Sequence, residues 1–553
     1  MVGASHKVRR NMGEKRSRAM SRKEVVKIND ISKPVKRLVQ LKLEDLMPLP
    51  PPYDKSGSEP PLTTPKPEWE ETYVTELDGY IAIDLPWKPK TKEEEERLIQ
   101  KFLEGLKKLT SRESNWTFLQ PLLLSLEYCA KCQNCAEACP IYIASGRKDI
   151  YRPTYRAEVL RRIYNKYIAK KPGGDIELNI FTLMRLAELA YRCTLCRRCV
   201  QVCPLGIDNG LIAREIRKLF SQELGIAPKN LHEKGTVQHL KVGSSTGMTP
   251  KALLKMVKYI EDFIYEKTGK RIKIPVDQKG ADILLIHNAG EFLSWPENVA
   301  AFAIIFEEAG LSWTLSSEPL GYDVVNYGAW YDDVQLARIA LKHIEIARKL
   351  EVKKIVVGEC GHATKALVVV ADRILTDENR IPRESALPLL RDIVMSNKLN
   401  LDPSKNNFPV TLHDPCNIVR LSGIVEPQRE ILRKIAPMFR EMVPHGVYNY
   451  CCGGGSGFAI MQSLNFPEWR NKVASRMKFK QILEAFKDVL DPKIPKYVCA
   501  PCSNCKGAIR DVLAHYRATE LYNIHYGGLV ELIVNAMVDL KEPYLDFLKE
   551  KKS

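Results

Sequence analysis

Two short stretches of the chain crowd thiols in one repeated pattern. CAKCQNCAEACP supplies Cys129, Cys132, Cys135 and Cys139 followed by Pro140, and CTLCRRCVQVCP supplies Cys193, Cys196, Cys199 and Cys203 followed by Pro204. Both read C-x2-C-x2-C-x3-C-P. Three thiols at this spacing wrap one face of a [4Fe–4S] cubane, and where two such runs occur the fourth cysteine of each ligates the other cluster. The expected sets are therefore Cys129, Cys132, Cys135 and Cys203, and Cys193, Cys196, Cys199 and Cys139. Structural zinc is the competing use, but zinc draws cysteine pairs far apart in sequence, whereas four thiols here fall within eleven residues, twice. Two adjacent cubanes form a one-electron wire. Arg197 and Arg198 would raise the potential of the cluster beside them if they faced it; the expectation is a solvated pair.

Seven further cysteines, Cys360, Cys416, Cys451, Cys452, Cys499, Cys502 and Cys505, stand in GECGHA, LHDPCN, NYCCGGGSG and CAPCSNC. At least three follow short apolar segments that read as strands. Loops at the carboxyl ends of an open α/β sheet converge on one crevice, so distant cysteines can meet there. The adjacent Cys451 and Cys452 would strain a regular cubane by sharing one iron, but they can serve neighbouring irons of a more open cluster. The glycines from Gly453 to Gly455 then let the backbone approach and clear space above it. A strained vicinal disulfide and a zinc site stay open as alternatives. His413 and Asp414 beside Cys416, and His362 beside Cys360, are candidate proton donors to a leaving thiolate, or loop residues that cap a helix.

The elements that must position these thiols change along the chain. KEEEERLIQKFLEGLKKLT (92–110) has a helical period, as do TYRAEVLRRIYNKYIAK and LNIFTLMRLAELAYR between the two cysteine runs, and KALLKMVKYIEDFIYEKTG (251–269). From ADILLIH (281–287) onward, short apolar strands at KKIVVG (353–358), FPVTLH (408–413) and PKYVCA (495–500) alternate with helical stretches. The expected organisation is multidomain: a basic and Pro-rich extension over 1–90, an α-helical ferredoxin domain over 91–240, a helical connector over 241–275, and an α/β domain over 276–545.

The 553 residues carry 84 Lys and Arg against 67 Asp and Glu, a net charge of +17, and residues 1–50 alone hold 13 basic against 5 acidic side chains. Such an arm binds anionic headgroups or an acidic partner, or is a solvated tail; no nucleic-acid module accompanies it. There is no apolar run of transmembrane length and no secretory signal, so 15 cysteines point to a reducing compartment.

Cys416, Cys451-Cys452-Gly453 and the closing C-x2-C resemble the CCG motif of the heterodisulfide reductase catalytic subunits. The stretch 125–510, dicluster domain followed by CCG domain, resembles the HdrD members of that family. Those carry two CCG motifs, one in each half of an internal repeat, and this chain keeps the second. ADILLIHNAG parallels PVTLHDPC with Asn288, Ala289 and Gly290 where a cysteine is expected, and VVNYGAW parallels YNYCCGG with Tyr327-Gly328 in place of the pair. One complete motif behind a dicluster domain, with a basic and Pro-rich extension, is similar to the DsrK-type iron–sulfur subunits of membrane-bound Dsr and Hme menaquinol-oxidising complexes.

That resemblance implies a noncubane [4Fe–4S] cluster held by five of Cys416, Cys451, Cys452, Cys499, Cys502 and Cys505, in a CCG domain built from two pseudo-repeats. It implies electrons from a quinol through a haem b membrane subunit, then two cubanes, then the noncubane cluster. The implied acceptor is a disulfide or trisulfide on a small DsrC-like sulfur-carrier protein of dissimilatory sulfur metabolism, reached from the cytoplasmic face of the membrane. The interval after Cys452 exceeds the family's, so Cys499 with Cys502 and Cys502 with Cys505 both remain open. Cys360 is either a substrate-pocket thiol or a relic of the lost motif, and the first half is expected to form a pocket wall with room for the carrier's tail. The rival expectation is an electron-transfer subunit without a substrate of its own, like the iron–sulfur subunits of glycolate, lactate or glycerol-3-phosphate dehydrogenases.

Overall fold

The computed structural model describes residues 89–113, 121–461 and 466–549. The basic and Pro-rich extension lies almost entirely outside the described residues. Helix Lys92–Leu109 begins where Thr91 Oγ1 accepts from the Glu94 amide, with Glu93 to Glu95 in its first turn and Lys107 and Lys108 in its last, charges that suit the helix dipole. Its apolar stripe, Leu98, Phe102, Leu106 and Leu109, is buried, and Phe102 meets Phe220 at 5.6 Å between ring centres. Helices Pro153–Ile163, Ile180–Tyr191 and Asn209–Lys218 complete this layer. Asn179 and Asp208 cap the last two through their side chains.

The helical domain does not own a separate core. Leu160, Leu183, Ile212 and Ile216 belong to one buried cluster with Tyr327, Trp330, Tyr331, Phe458, Phe466 and Trp469 from the C-terminal region. Arginines fasten the same boundary: Arg217 donates to the carbonyls of Ala190, Cys193 and Ser456, and Arg214 to that of Gly328.

After helix Pro250–Thr268 the described residues form eight parallel strands in two sheets. The first holds β1 (Ile283–Ile286), β2 (Trp313–Thr314), β3 (Lys354–Val357) and β4 (Arg383–Ser385) in the order β2-β1-β3-β4. The second holds β5 (Val410–Leu412), β6 (Phe439–Arg440), β7 (Lys496–Cys499) and β8 (Ile524–Gly527) in the order β6-β5-β7-β8. The four strands visible in the sequence are the inner pair of each sheet, where burial on both faces makes continuous apolar runs. Helices Pro296–Glu308 and Leu529–Asn535 pack together between the sheets. Phe302, Phe306, Leu412, Tyr497 and Leu532 share one core there, so the carboxyl ends of the inner strands are held in fixed relation.

Candidate iron–sulfur sites

The two dense runs fold alike. Lys131 and Gln133 flank Cys132 with left-handed backbone, and Leu195 and Arg197 flank Cys196 in the same way. Such reversals turn successive amides toward one point, a concavity that suits anionic clusters. The first short helix starts with Ala136 N–H donating to Gln133 O at 2.9 Å, the second with Val200 N–H donating to Arg197 O at 3.1 Å. Cys129, Cys132, Cys135 and Cys203 line one cavity with Pro204 and Ile207, and Cys132 is exposed at its rim. Cys139 instead lies by Cys193 and Cys196, with Cys199 beside the same two. The donor chemistry and grouping fit two four-thiolate clusters. Arg197 and Arg198 are not the solvated pair expected: Arg197 pairs with Asp208 at 2.5 Å, while buried Arg198 donates to Tyr448 O at 2.6 Å and lies 4.4 Å above the Tyr450 ring.

A third group of thiols continues from the second. The Cys196 thiol lies beside that of Cys451 across the boundary between domains, and Cys451 also meets Cys416 and Cys452. Cys452 Sγ lies 3.3 Å from Cys505 Sγ, Cys505 meets Cys502, and Cys502 meets Cys360. All fifteen cysteines are free thiols, so the adjacent pair forms no vicinal disulfide. Cys452 and Cys502 each sit between two other thiols whose hydrogen bonds hold them well below the usual thiol range. Backbone amides also serve the sulfurs: Gly453 N–H donates to Cys451 at 3.3 Å and Gly454 N–H to Cys452 at 3.4 Å.

Cys499 is not part of this array. Alternation along β7 sends Tyr497 and Cys499 into the core between the sheets, while Val498 and Ala500 face the side that holds Cys451, Cys452, Cys502 and Cys505. The charges that act on Cys499 are those of Glu359, Glu531, Lys506 and Asp414.

Two of the candidate proton donors keep a buried ring nitrogen without a partner among the described residues, His413 at Nε2 and His362 at Nδ1, and His413 is the one grouped with two of the sulfurs. A His413 ring nitrogen and the sulfurs of Cys452 and Cys505 lie within 4.8 Å of one another, and its buried Nε2 has no partner among the described residues. Burial, then the charge of Lys478, holds the ring neutral, its pKa well below the usual histidine value. Lys478, pushed down to about 7 by burial, donates to Asn449 Oδ1 at 2.7 Å. That contact fixes the Asn449 amide with its NH2 group toward Asp414 O at 2.8 Å and His413 Nδ1 at 3.4 Å. Asp414 itself is no donor. Burial raises its carboxyl, but two bonds from Arg429 at 2.8 and 2.6 Å and one from Gly446 N–H outweigh burial and hold it ionised. His362 commits Nε2 to Asn326 O at 2.9 Å. Asn449, Lys478 and Arg429 carry no spacing signal that would single them out in the sequence.

The glycines bring segments together instead of clearing space. A Cβ on Gly453, whose φ is +91°, would sit 2.0 Å from Ser475 Oγ, one on Gly454 2.8 Å from Asn504 O, and one on Gly455 2.6 Å from Thr194 O. Gly455 thus lets the second cysteine run reach the third group. The room expected beside the first half is filled: Tyr327 stacks on Trp330 at 4.8 Å, and Trp330 lies 4.3 Å from His362.

Residues 125–207 match the 4Fe-4S dicluster domain family, and residues 410–510 match the cysteine-rich domain family. The fold and its thiols therefore define an iron–sulfur protein in which a dicluster domain precedes a cysteine-rich α/β domain. Over its length the chain is similar to "Hdr-like menaquinol oxidoreductase iron-sulfur subunit 2" of Archaeoglobus fulgidus, at 24% identity over 79% of this chain and 83% of that protein. A second relative is "Hdr-like menaquinol oxidoreductase iron-sulfur subunit" of Archaeoglobus profundus, at 22% identity over 75% and 79%. A third is the HdrD subunit of the dihydromethanophenazine:CoB--CoM heterodisulfide reductase of Methanosarcina acetivorans, at 25% identity over 68% and 87%. In domain order and motif content the chain is similar to these iron–sulfur subunits.

Proposed function

We propose that the chain is the iron–sulfur subunit of a membrane-associated redox complex that takes electrons from a quinol-oxidising, haem b membrane partner and reduces a sulfur–sulfur bond at its C-terminal site. The proposed ligands are Cys129, Cys132, Cys135 and Cys203 for one cubane, Cys193, Cys196, Cys199 and Cys139 for the second, and Cys416, Cys451, Cys452, Cys502 and Cys505 for a noncubane centre. When bound, these clusters supply one-electron transfer. The observation that carries the reading is the unbroken succession of thiols from exposed Cys132, through the Cys196–Cys451 contact, to Cys502.

At the terminal site, the Asn449 amide donates to His413 Nδ1, so the one N–H of the neutral ring lies on Nε2, where it would stabilise a departing thiolate by a hydrogen bond and not by giving up its proton. Arg429 holds Asp414 and so fixes the backbone between His413 and Cys416. The two sheets with their matching strand order support a domain of two pseudo-repeats over 276–545, behind a helical domain over 91–240 and a connector over 241–275. The implied acceptor is a disulfide or trisulfide on a small DsrC-like carrier. Among the described residues no helix is long and apolar enough to cross a membrane, and the basic arm is assigned to peripheral docking on the cytoplasmic face, not to nucleic acid.

Cys452→Ser should abolish disulfide or trisulfide reduction while the two cubanes still accept electrons from dithionite, read by electron paramagnetic resonance. Full reductase activity in that variant would refute the catalytic site. One observation favours the rival: all five proposed ligands of the third centre are buried, as suits a relay to a flavoprotein partner of a glycolate, lactate or glycerol-3-phosphate type dehydrogenase. Reduction of the third centre by a flavoprotein, with no turnover of any carrier disulfide, would select it.

A further inference from the structure

The succession of thiols does not stop at the second sheet. Its last member, Cys360, comes from the loop after β3 in the first sheet, and its thiol lies beside that of Cys502. Both residues make the same turn. Cys360 N–H donates to Gly358 O at 2.7 Å and Cys502 N–H to Ala500 O at 2.6 Å, and each stands in extended backbone, φ −140° and −167°, at the start of a helix. The two loops are stitched to one another: Ser503 N–H donates to Glu359 O at 2.9 Å, and Gly361 N–H to Cys502 Sγ at 3.3 Å. The loop that carries Cys360 is thereby held against Cys502 by backbone.

Polar donors also converge on Cys360 Sγ. The Ala363 amide donates to it at 3.4 Å and the Asn288 amide NH2 group at 3.8 Å. Asn288 is fixed for this role because its Oδ1 accepts from Gly290 N–H at 2.7 Å. A buried thiol that only fills space needs no N–H donors; a metal-bound thiolate, with its charge taken out of water, is stabilised by them.

We propose that Cys360 is a sixth thiolate of the C-terminal iron–sulfur centre, which is then held from both sheets at once. The inference rests on the reading that Cys416, Cys451, Cys452, Cys502 and Cys505 hold such a centre. It gives the first half of the domain a direct bond to a centre otherwise assembled from the second, and makes the relation between the two sheets part of the ligand geometry.

The test uses the full chain, prepared without oxygen with its own clusters. Iron and sulfide content and the electron paramagnetic resonance of the oxidised and reduced protein are compared for wild type, Cys360→Ser and Cys499→Ser. The wild type should hold about twelve irons. Cys360→Ser should lower that number toward about eight, or shift the signal of the third centre, with both cubane signals unchanged; Cys499→Ser should do neither. Full iron with an unchanged third signal in Cys360→Ser would overturn the assignment and leave Cys360 a packing thiol. If the serine variant does not accumulate, Cys360→Sec carrying selenium-77 reads the same bond directly: a hyperfine coupling to the third centre supports it, and a signal without coupling overturns it. A wild type with only about eight irons would instead sink the third centre itself, an outcome distinguishable from loss of the Cys360 bond alone.

Discussion

At the carboxyl end of β5 the loop His413–Cys416 delivers an imidazole, a braced carboxylate and a thiol. At the carboxyl end of β1 the corresponding loop delivers His287, Asn288 and Gly290, where no thiol stands and the imidazole and the Asn288 Oδ1 bond within their own helix start, while the Asn288 NH2 group reaches Cys360. His287 pairs with Glu291 at 3.1 Å and packs edge-on against Phe292 and Phe302, while Asn288 and Glu291 close a capping box on helix Ala289–Ser294. Tyr327 and Trp330 stack where the second half runs Cys451-Cys452-Gly453. The same strand order thus carries two fillings, aromatic rings and a capped helix in one sheet and thiols beside an imidazole in the other. A crevice at strand ends must be filled by something, and in the first half aromatic rings and a capped helix stand where the second half has its adjacent cysteines.

The difference breaks first where charge is buried. Arg429→Met would leave Asp414 uncompensated beside Cys416, at a cost of about 4 kcal/mol, and the loop should release the third centre while the cubanes persist. Denaturant unfolding together with iron analysis checks both parts, and intact iron at reduced stability would reduce Arg429 to a structural brace. In the first half, Trp330→Ala removes a buried ring between Tyr327 and His362 and should cost about 3 kcal/mol with no loss of iron. Loss of iron there would mean that the aromatic filling holds the ligand loops and does not merely occupy space.

Much of this contrast can be read in the sequence, because cubane ligands are local: spacing alone groups Cys129 to Cys139 and Cys193 to Cys203. The inner strands β1, β3, β5 and β7 are legible for a similar reason, each being a continuous apolar run. The edge strands β2, β4, β6 and β8 are not, since they hold two to four residues and no period can show. Nor could spacing foresee that Arg198 bridges to Tyr448 or that Cys196 meets Cys451, contacts between residues some 250 positions apart that exist only once the domains share a core. The choice among Cys499, Cys502 and Cys505 turned on where β7 ends and which face its last residue takes, the least determinate feature of any strand.

The neutral filling of the first half also sets an acid limit. Burial pushes His343 down to about 4 and His362 to about 3, so both stay uncharged in the folded chain where an unfolded histidine, near 6.5, would already bind a proton. Above pH ~6.5 neither state is protonated and the contribution is complete; as pH falls from there toward 4, the unfolded chain gains protons that the folded one refuses. Each such histidine then removes up to about 1.4 kcal/mol per pH unit. His343→Gln, which retains a donor for Asp323 O, should flatten the stability profile between pH 6.5 and 4 by about one proton, measured by urea unfolding at several pH values. An unchanged slope would place the acid sensitivity elsewhere.

The smallest expected effect separates the two faces of β7. Cys499 is fully buried, yet it looks into the core shared by the sheets with Tyr497 and Leu412. Cys505, six residues on, touches Cys452 at 3.3 Å. Cys499→Ala removes one sulfur from a packed apolar site and should cost about 1 kcal/mol, with iron content and the signals of all three centres unchanged. Cys505→Ala should leave stability of the helical domain alone but deplete the third centre. The pair of variants fixes the ligand set from opposite sides, because both positions are buried thiols near one strand end and only their orientation differs. Loss of iron on Cys499→Ala would mean that the loop after β7 turns over when the cluster binds, and the face that now packs against Leu412 would have to be counted as part of the site.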